Sequence, residues 1–122
     1  TQMGWEIYPH GLFDFIMRTH QDYTHGLPIY VTENGMANND LLENGMVNDD
    51  PRIEYISAHL SQVLKAIKQG VPLAGYYVWS LLDNYEWALG FEKRFGLIHV
   101  DFETQKRTPK KSYFALKKAL KF

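Results

Sequence analysis

Two short runs of apolar, β-forming residues, Leu27-Pro28-Ile29-Tyr30-Val31-Thr32 and Leu73 to Trp79, constrain this chain more than anything else in it. Neither alternates between apolar and polar, so each predicts a strand buried on both faces. Between them Ile53, Ile56, Leu60, Val63, Leu64 and Ile67 recur at three- and four-residue steps, which predicts a helix. Strand, crossover helix and strand predict a parallel pair. Two strands cannot cover each other on both faces, and an isolated pair is marginal in water. The pattern is that of a piece of a larger α/β sheet or barrel.

The flanking segments fit that frame. Pro9 begins a helix with Leu12, Phe15, Ile16 and Thr19 on one face. Asp50-Pro51 is a start signal for the crossover helix, a capping carboxylate followed by proline, and Gly70 closes it. Residues 36–48 are rich in Asn, Asp and Gly without a period and read as loop. A long loop also runs from the second strand through Phe95. Leu97 to Phe102 and Gln105 to Thr108 predict a small hairpin, and Thr108-Pro109 starts a last helix with Tyr113, Leu116 and Leu120 on one face.

Bulk properties exclude several classes. The net charge of −1 gives no electrostatic footprint for nucleic acid. The longest apolar runs fall far short of a bilayer span. Nothing at Thr1 to Glu6 resembles a signal peptide, and cysteine is absent, which rules out a disulfide framework and suits a cytoplasmic setting. Aromatics reach 15%, and several of them sit outside the helical patterns: Trp5, Tyr8, Trp79, Tyr85, Trp87, Phe91 and Phe95. They are either extra packing or a stacking surface for sugar rings.

In α/β barrels functional groups gather at the C-terminal ends of strands. The first strand here runs into Glu33-Asn34-Gly35. The second runs into Trp79-Ser80-Leu81-Leu82-Asp83-Asn84-Tyr85-Glu86-Trp87. A carboxylate at a rim lined with indoles suits glycoside hydrolysis, in which one carboxylate attacks the anomeric carbon or activates a water. Taken alone, Glu33 serves equally well as a helix cap or an ion-pair partner.

The motifs favour the first reading. Ile29-Tyr30-Val31-Thr32-Glu33-Asn34-Gly35-Met36-Ala37 resembles the nucleophile signature of glycoside hydrolase family 1. Met3-Gly4-Trp5-Glu6-Ile7-Tyr8-Pro9 resembles the segment after that family's sixth strand. Gly75 to Asn84, Glu86-Trp87, Arg94-Phe95-Gly96-Leu97 and Val100-Asp101-Phe102 resemble its final strand pattern. The resemblance implies an α/β fold, the C-terminal portion of a (β/α)8 TIM barrel, with its last two strands and their helices in residues 1–122. It implies a retaining β-glucosidase acting on terminal non-reducing β-glucosyl residues of cello-oligosaccharides or aryl glucosides, without a cofactor or metal. Glu33 would be the nucleophile. Trp79 would pack on the glycone, Glu86 would accept from its 4- and 6-hydroxyls, and Trp87 would donate to its 3-hydroxyl. Phe95 would line that subsite and Trp5 would flank the entrance.

Other polar residues carry no such role. His59 reads as a packed structural histidine, and Asp83 and Asn84 as shaping their loop. Asn34 and Gly35 read as turn chemistry behind the nucleophile. Lys110, Lys111, Lys117, Lys118 and Lys121 read as the solvated face of the last helix. His10, His20, His25 and His99 lack the spacing for a shared metal. The family's acid/base glutamate lies in an Asn-Glu-Pro motif, and no Asn-Glu-Pro occurs in this sequence. The isolated chain is therefore expected to be inactive and to need the N-terminal remainder of the barrel as its partner. Glu86 argues against the phospho-sugar branch of the family, because that branch usually has a small residue at this position and Tyr where Phe95 stands. The same motifs also admit a related β-galactosidase or a non-catalytic sugar-binding barrel.

Overall fold

A computed structural model describes residues 1–120. Its elements in chain order are α1 (Pro9–Thr19), β1 (Ile29–Asn34), β2 (Leu42–Glu43), β3 (Met46–Val47), α2 (Asp50–Lys68), β4 (Leu73–Val78), β5 (Ile98–Val100), β6 (Arg107–Pro109) and α3 (Lys111–Ala119). A π-helical turn, His20–Thr24, follows α1, and a 3-10 turn, Trp87–Leu89, lies between β4 and β5.

β1 and β4 pair in parallel, with Ile29 opposite Leu73 and Val31 opposite Tyr76. The ladder continues past β4, where the Trp79 N–H donates to the Asn34 carbonyl at 2.9 Å. One face of this sheet meets α1 and α2. Phe13, Ile16, Val63, Ala66 and Val71 form the buried cluster there, with Ile29, Val31, Leu73 and Tyr76 packed on it. The other face carries Tyr30 and Tyr77, 53% and 58% exposed. Among the described residues the strands are thus covered on one face, not on both.

Several expected boundaries shift for identifiable reasons. In α1 the inward face is Phe13 with Ile16, three residues apart, and Phe15 points outward at 70% exposure. β1 starts two residues after Leu27 and runs on through Glu33 and Asn34. Residues 36–48 are not bare loop: β2 and β3 form a hairpin across Asn44-Gly45, both with positive φ. Asn-Gly is the pair that a two-residue type I′ turn favours. The N-cap of α2 is Asp49, not Asp50, and the buried face of the helix is Arg52, Ile56, His59, Val63 and Ala66. Leu64 and Ile67 are exposed. His59 is buried, its Nδ1 lying 2.7 Å from the Tyr55 carbonyl, and burial pushes its pKa down.

The predicted hairpin exists as β5 and β6, with Ile98 opposite Pro109. Thr108 and Pro109 belong to that ladder, so α3 starts only at Lys111. Tyr113 and Leu116 are half-buried, but Leu120 is exposed. Lys111 is exposed and paired with Asp50, and Lys117 and Lys118 are exposed; Lys121 lies outside the described residues.

Lys110 departs most from expectation. It is fully buried, with its Nζ 2.5 Å from Asp40 and 2.7 Å from Asp83. Arg52 pairs with the same Asp40 at 2.7 Å and with Asp49, and Arg94 pairs with Asp83 at 2.7 Å. Asp49 also accepts from the Ser112 N–H at 2.8 Å and its hydroxyl at 2.5 Å. Three carboxylates thus face three cations, a balance that a buried cluster requires. Burial on its own would push Asp83 up, but the Lys110 charge and hydrogen bonds from Lys110, Arg94 and the Val100 N–H hold it below its usual value.

A depressed folded-state pKa contributes stability that is complete above the unfolded carboxylate value of about 3.9 and is lost as pH falls through the folded value. Acid titration of the complete fold should therefore show Asp83-linked destabilisation only below about pH 4. Lys110→Met, which leaves three buried carboxylates facing only Arg52 and Arg94, should cost about 3–5 kcal/mol. Urea denaturation at neutral pH measures that loss.

Candidate active site

Because β1 and β4 are parallel neighbours, their C-terminal ends lie side by side. Glu33 is the penultimate residue of one, and Trp79 follows the last residue of the other. Their close approach depends on Gly35. Its φ lies outside the left-handed region, so turn geometry is not its purpose. A Cβ there would overlap the Trp79 carbonyl oxygen.

Asn34 is likewise no turn residue. It sits in the strand, its Nδ2 donating to the Tyr55 hydroxyl at 3.3 Å while its Oδ1 accepts from the Tyr76 hydroxyl at 2.7 Å. β1, β4 and α2 are thereby tied together one residue beyond Glu33. Burial raises the pKa of both phenols, with the neighbouring Tyr55 adding to the effect at Tyr76. Both phenols keep their protons at neutral pH, Tyr76 donating to Asn34 and Tyr55 accepting from it.

The segment after β4 leaves the sheet and returns to itself. The Ser80 N–H donates to the Phe95 carbonyl at 3.3 Å, the Leu97 N–H to the Ser80 carbonyl at 2.9 Å, and the Asp83 N–H to the Ile98 carbonyl at 3.1 Å. These bonds close the base of a loop that projects Glu86 and Trp87. Below the base, the Asp83 carboxylate accepts from the Gly96 N–H at 3.0 Å and the Val100 N–H at 3.2 Å. Asp83 therefore shapes the loop, as its position in the sequence suggests. Arg52 donates to the Arg94 carbonyl at 2.7 Å, fixing the turn that delivers Phe95.

One open cleft of ≈ 420 Å³ results, lined by Trp5, Glu33, Asn34, Gly35, Tyr55, Trp79, Glu86, Trp87 and Phe95. It brings together all six residues singled out from the sequence. Phe95 is buried at its floor, and the Trp5 ring lies 6.3 Å from it, centroid to centroid. Trp87 is 83% exposed and has φ of 45°, a left-handed conformation that costs energy for a bulky residue. One Glu86 carboxylate oxygen accepts from Asn84 at 2.8 Å. Such a cleft offers two carboxylates that can act as hydrogen-bond acceptors or nucleophiles, together with the faces and N–H groups of three exposed indoles.

The residues missed by sequence reasoning are those that hold this arrangement. Tyr55 occupies a helical apolar pattern, Asp40 lies in a featureless Asn-rich stretch, and Lys110 sits among lysines. Gly35 has the one available signal, a glycine directly beyond a strand end.

The fold is shared with solved glycosidases. The chain superposes on a family 1 β-glucosidase from Thermotoga maritima in complex with isofagomine lactam, with a TM-score of 0.96 and 48% identity, over 99% of this chain and 28% of that one. The model of glycosyl hydrolase family 1 matches residues 1–121, and the chain belongs to that family. A 6-phospho-β-galactosidase of Leptotrichia buccalis is 51% identical over 97% of this chain and 25% of its own length. Beta-glucosidase A of Thermotoga maritima is 51% identical over 92% of this chain and 25% of its own length. The chain thus spans about a quarter of the curated relatives it matches.

Gly35→Ala, which drives a methyl group into the β4 backbone, should cost about 1–3 kcal/mol in urea denaturation of the complete fold. It should also weaken binding of a ligand held between Glu33 and Trp79, as read by calorimetry.

Proposed function

We propose that residues 1–122 supply the last two strands and helices of a (β/α)8 catalytic domain that hydrolyses terminal β-D-glucosyl residues with retention. The observation that carries this reading is the cleft in which Glu33, at the end of β1, lies together with Trp79, Glu86, Trp87, Phe95 and Trp5. Glu33 attacks the anomeric carbon, and the bond to the aglycone oxygen breaks as that oxygen takes a proton from an acid. Water then attacks the glycosyl–Glu33 ester and gives its proton to the same group, restoring both carboxyls and the original configuration. Retaining hydrolysis needs those carboxyl groups about 5–5.5 Å apart. The second belongs to the N-terminal remainder, in the Asn-Glu-Pro motif that this sequence does not contain.

Relatives named for β-glucosides and for 6-phospho-β-galactosides match equally well, so identity does not choose between them. Electrostatics favours the glucoside. A sugar phosphate seated against Glu86 would set like charges together in a partly desolvated cleft, which costs affinity. Glu86 instead suits neutral hydroxyls, each able to donate to a carboxylate oxygen. Trp79 offers the flat apolar face that a pyranose ring stacks on.

With the barrel completed by its N-terminal portion, aryl β-glucoside should be hydrolysed and β-glucose should appear before mutarotation, as read by proton NMR. The 122-residue chain alone should release no aglycone. Turnover of the 6-phospho-β-galactoside in preference to the glucoside would move the protein to the phospho-sugar branch. Turnover of neither by a folded barrel would leave a sugar-binding protein without catalysis.

A further inference from the structure

We propose that Asn84 is a positioning residue for Glu86, an amide clamp that occupies one carboxylate oxygen and presents the other to the glycone hydroxyls. The proposal rests on the reading of Glu86 as the glycone acceptor and assigns its orientation to a residue that touches no substrate.

A glutamate on a rim loop has rotatable bonds along its whole side chain, and ordering them costs entropy unless something in the protein holds them beforehand. Glu86 is held at both ends. Its backbone is fixed by the Glu86 N–H donating to the Gly90 carbonyl at 2.7 Å and the Leu89 N–H donating to the Glu86 carbonyl at 2.8 Å. Its carboxylate is fixed by Asn84 Nδ2, which donates to Oε2 at 2.8 Å and also lies 3.3 Å from the Tyr85 carbonyl.

Asn84 is anchored in turn beside Ser80, one of the buried residues at the base of the loop. The Ser80 hydroxyl donates to the Leu82 carbonyl at 2.6 Å and sits 3.4 Å from Asn84 Oδ1. Backbone hydrogen bonds joining Ser80 to Phe95 and Leu97 fix that serine. A path of short contacts therefore runs from the sheet end to the carboxylate without involving substrate.

The chemistry of the clamp matters as much as its geometry. A neutral amide leaves the carboxylate its full negative charge and its remaining lone pairs. A lysine or arginine in the same place would form an ion pair with Glu86 and compete with the sugar for it. An aspartate would supply no donor while ionised.

The test compares aryl β-glucoside with aryl β-xyloside, which lacks the 6-hydroxymethyl group, in the complete barrel. Asn84→Ala should lower kcat/KM for the glucoside on the order of tenfold, chiefly through KM, and lower it less for the xyloside. In a Glu86→Ala background the same substitution should have no further effect, because the clamp then has nothing to hold. Asn84→Asp keeps the side-chain volume and removes the donor, so it provides a second variant with the same selective loss should the alanine variant fold poorly. Equal losses on both substrates that persist in the Glu86→Ala background would make Asn84 a merely structural residue and overturn the proposal. If Glu86→Ala alone fails to discriminate between the two substrates, the reading of Glu86 falls and the proposal falls with it.

Discussion

The ammonium of Lys110, sealed between the carboxylates of Asp40 and Asp83, is the contact through which the separate parts of this structure meet. Each of the three comes from a different segment: the loop beyond β1, the loop beyond β4, and the start of α3. Burying charges is expensive, and such a cluster is tolerated only when its members are paired and hydrogen-bonded. Arg52 and Arg94 complete the pairing, and backbone N–H groups of Gly96 and Val100 satisfy Asp83 further. What the cluster provides is geometry more than net stability. An apolar cluster of similar volume could hold the loops together, but it would not fix their register with directional bonds.

That register determines what the cleft presents. Asp40 lies seven residues beyond Glu33, and Asp83 three residues before Glu86. The same knot therefore anchors both segments that carry the carboxylates of the cleft. Arg52, reaching from α2 to the Arg94 carbonyl, extends it to Phe95 at the floor. Around this, Asn34 locks the strand end to Tyr55 and Tyr76, and Gly35 lets the two strands close on each other. The exposed side chains, Trp5, Trp79 and Trp87, are then displayed on a base whose buried charges are paired. Preorganisation of this kind keeps the cost of ordering the site out of the binding step.

The sequence made the elements legible where a period or a motif was strong. The crossover helix, both parallel strands and the β5–β6 hairpin follow from apolar spacing and turn residues, although α1 and α2 are rotated from the expected faces. Asn44-Gly45 was a hairpin signal hidden in a polar stretch with no flanking alternation. Lys110 could not be recognised, since one lysine among several carries no mark of burial; only the folded position of Asp40 and Asp83 distinguishes it from its solvated neighbours. Glu33, Trp79, Glu86 and Trp87 were legible because strand ends followed by acids and indoles are a local pattern, whereas Phe95 and Trp5 came only from the resemblance to the family's motifs. Asn34 and Gly35 were misread because the turn preferences of Asn and Gly are the stronger prior until the partner strand is seen.

The central claim is that Glu33 is the nucleophile of a retaining glucosidase. Treating the barrel, completed by its N-terminal portion, with a 2-deoxy-2-fluoroglucosyl inactivator and sequencing its peptides by mass spectrometry tests this most directly. The account predicts one fluoroglucosyl group on the peptide containing Glu33 and none when Glu33 is replaced by Gln. A sugar on any other residue, or a folded barrel that takes up no label, would contradict it.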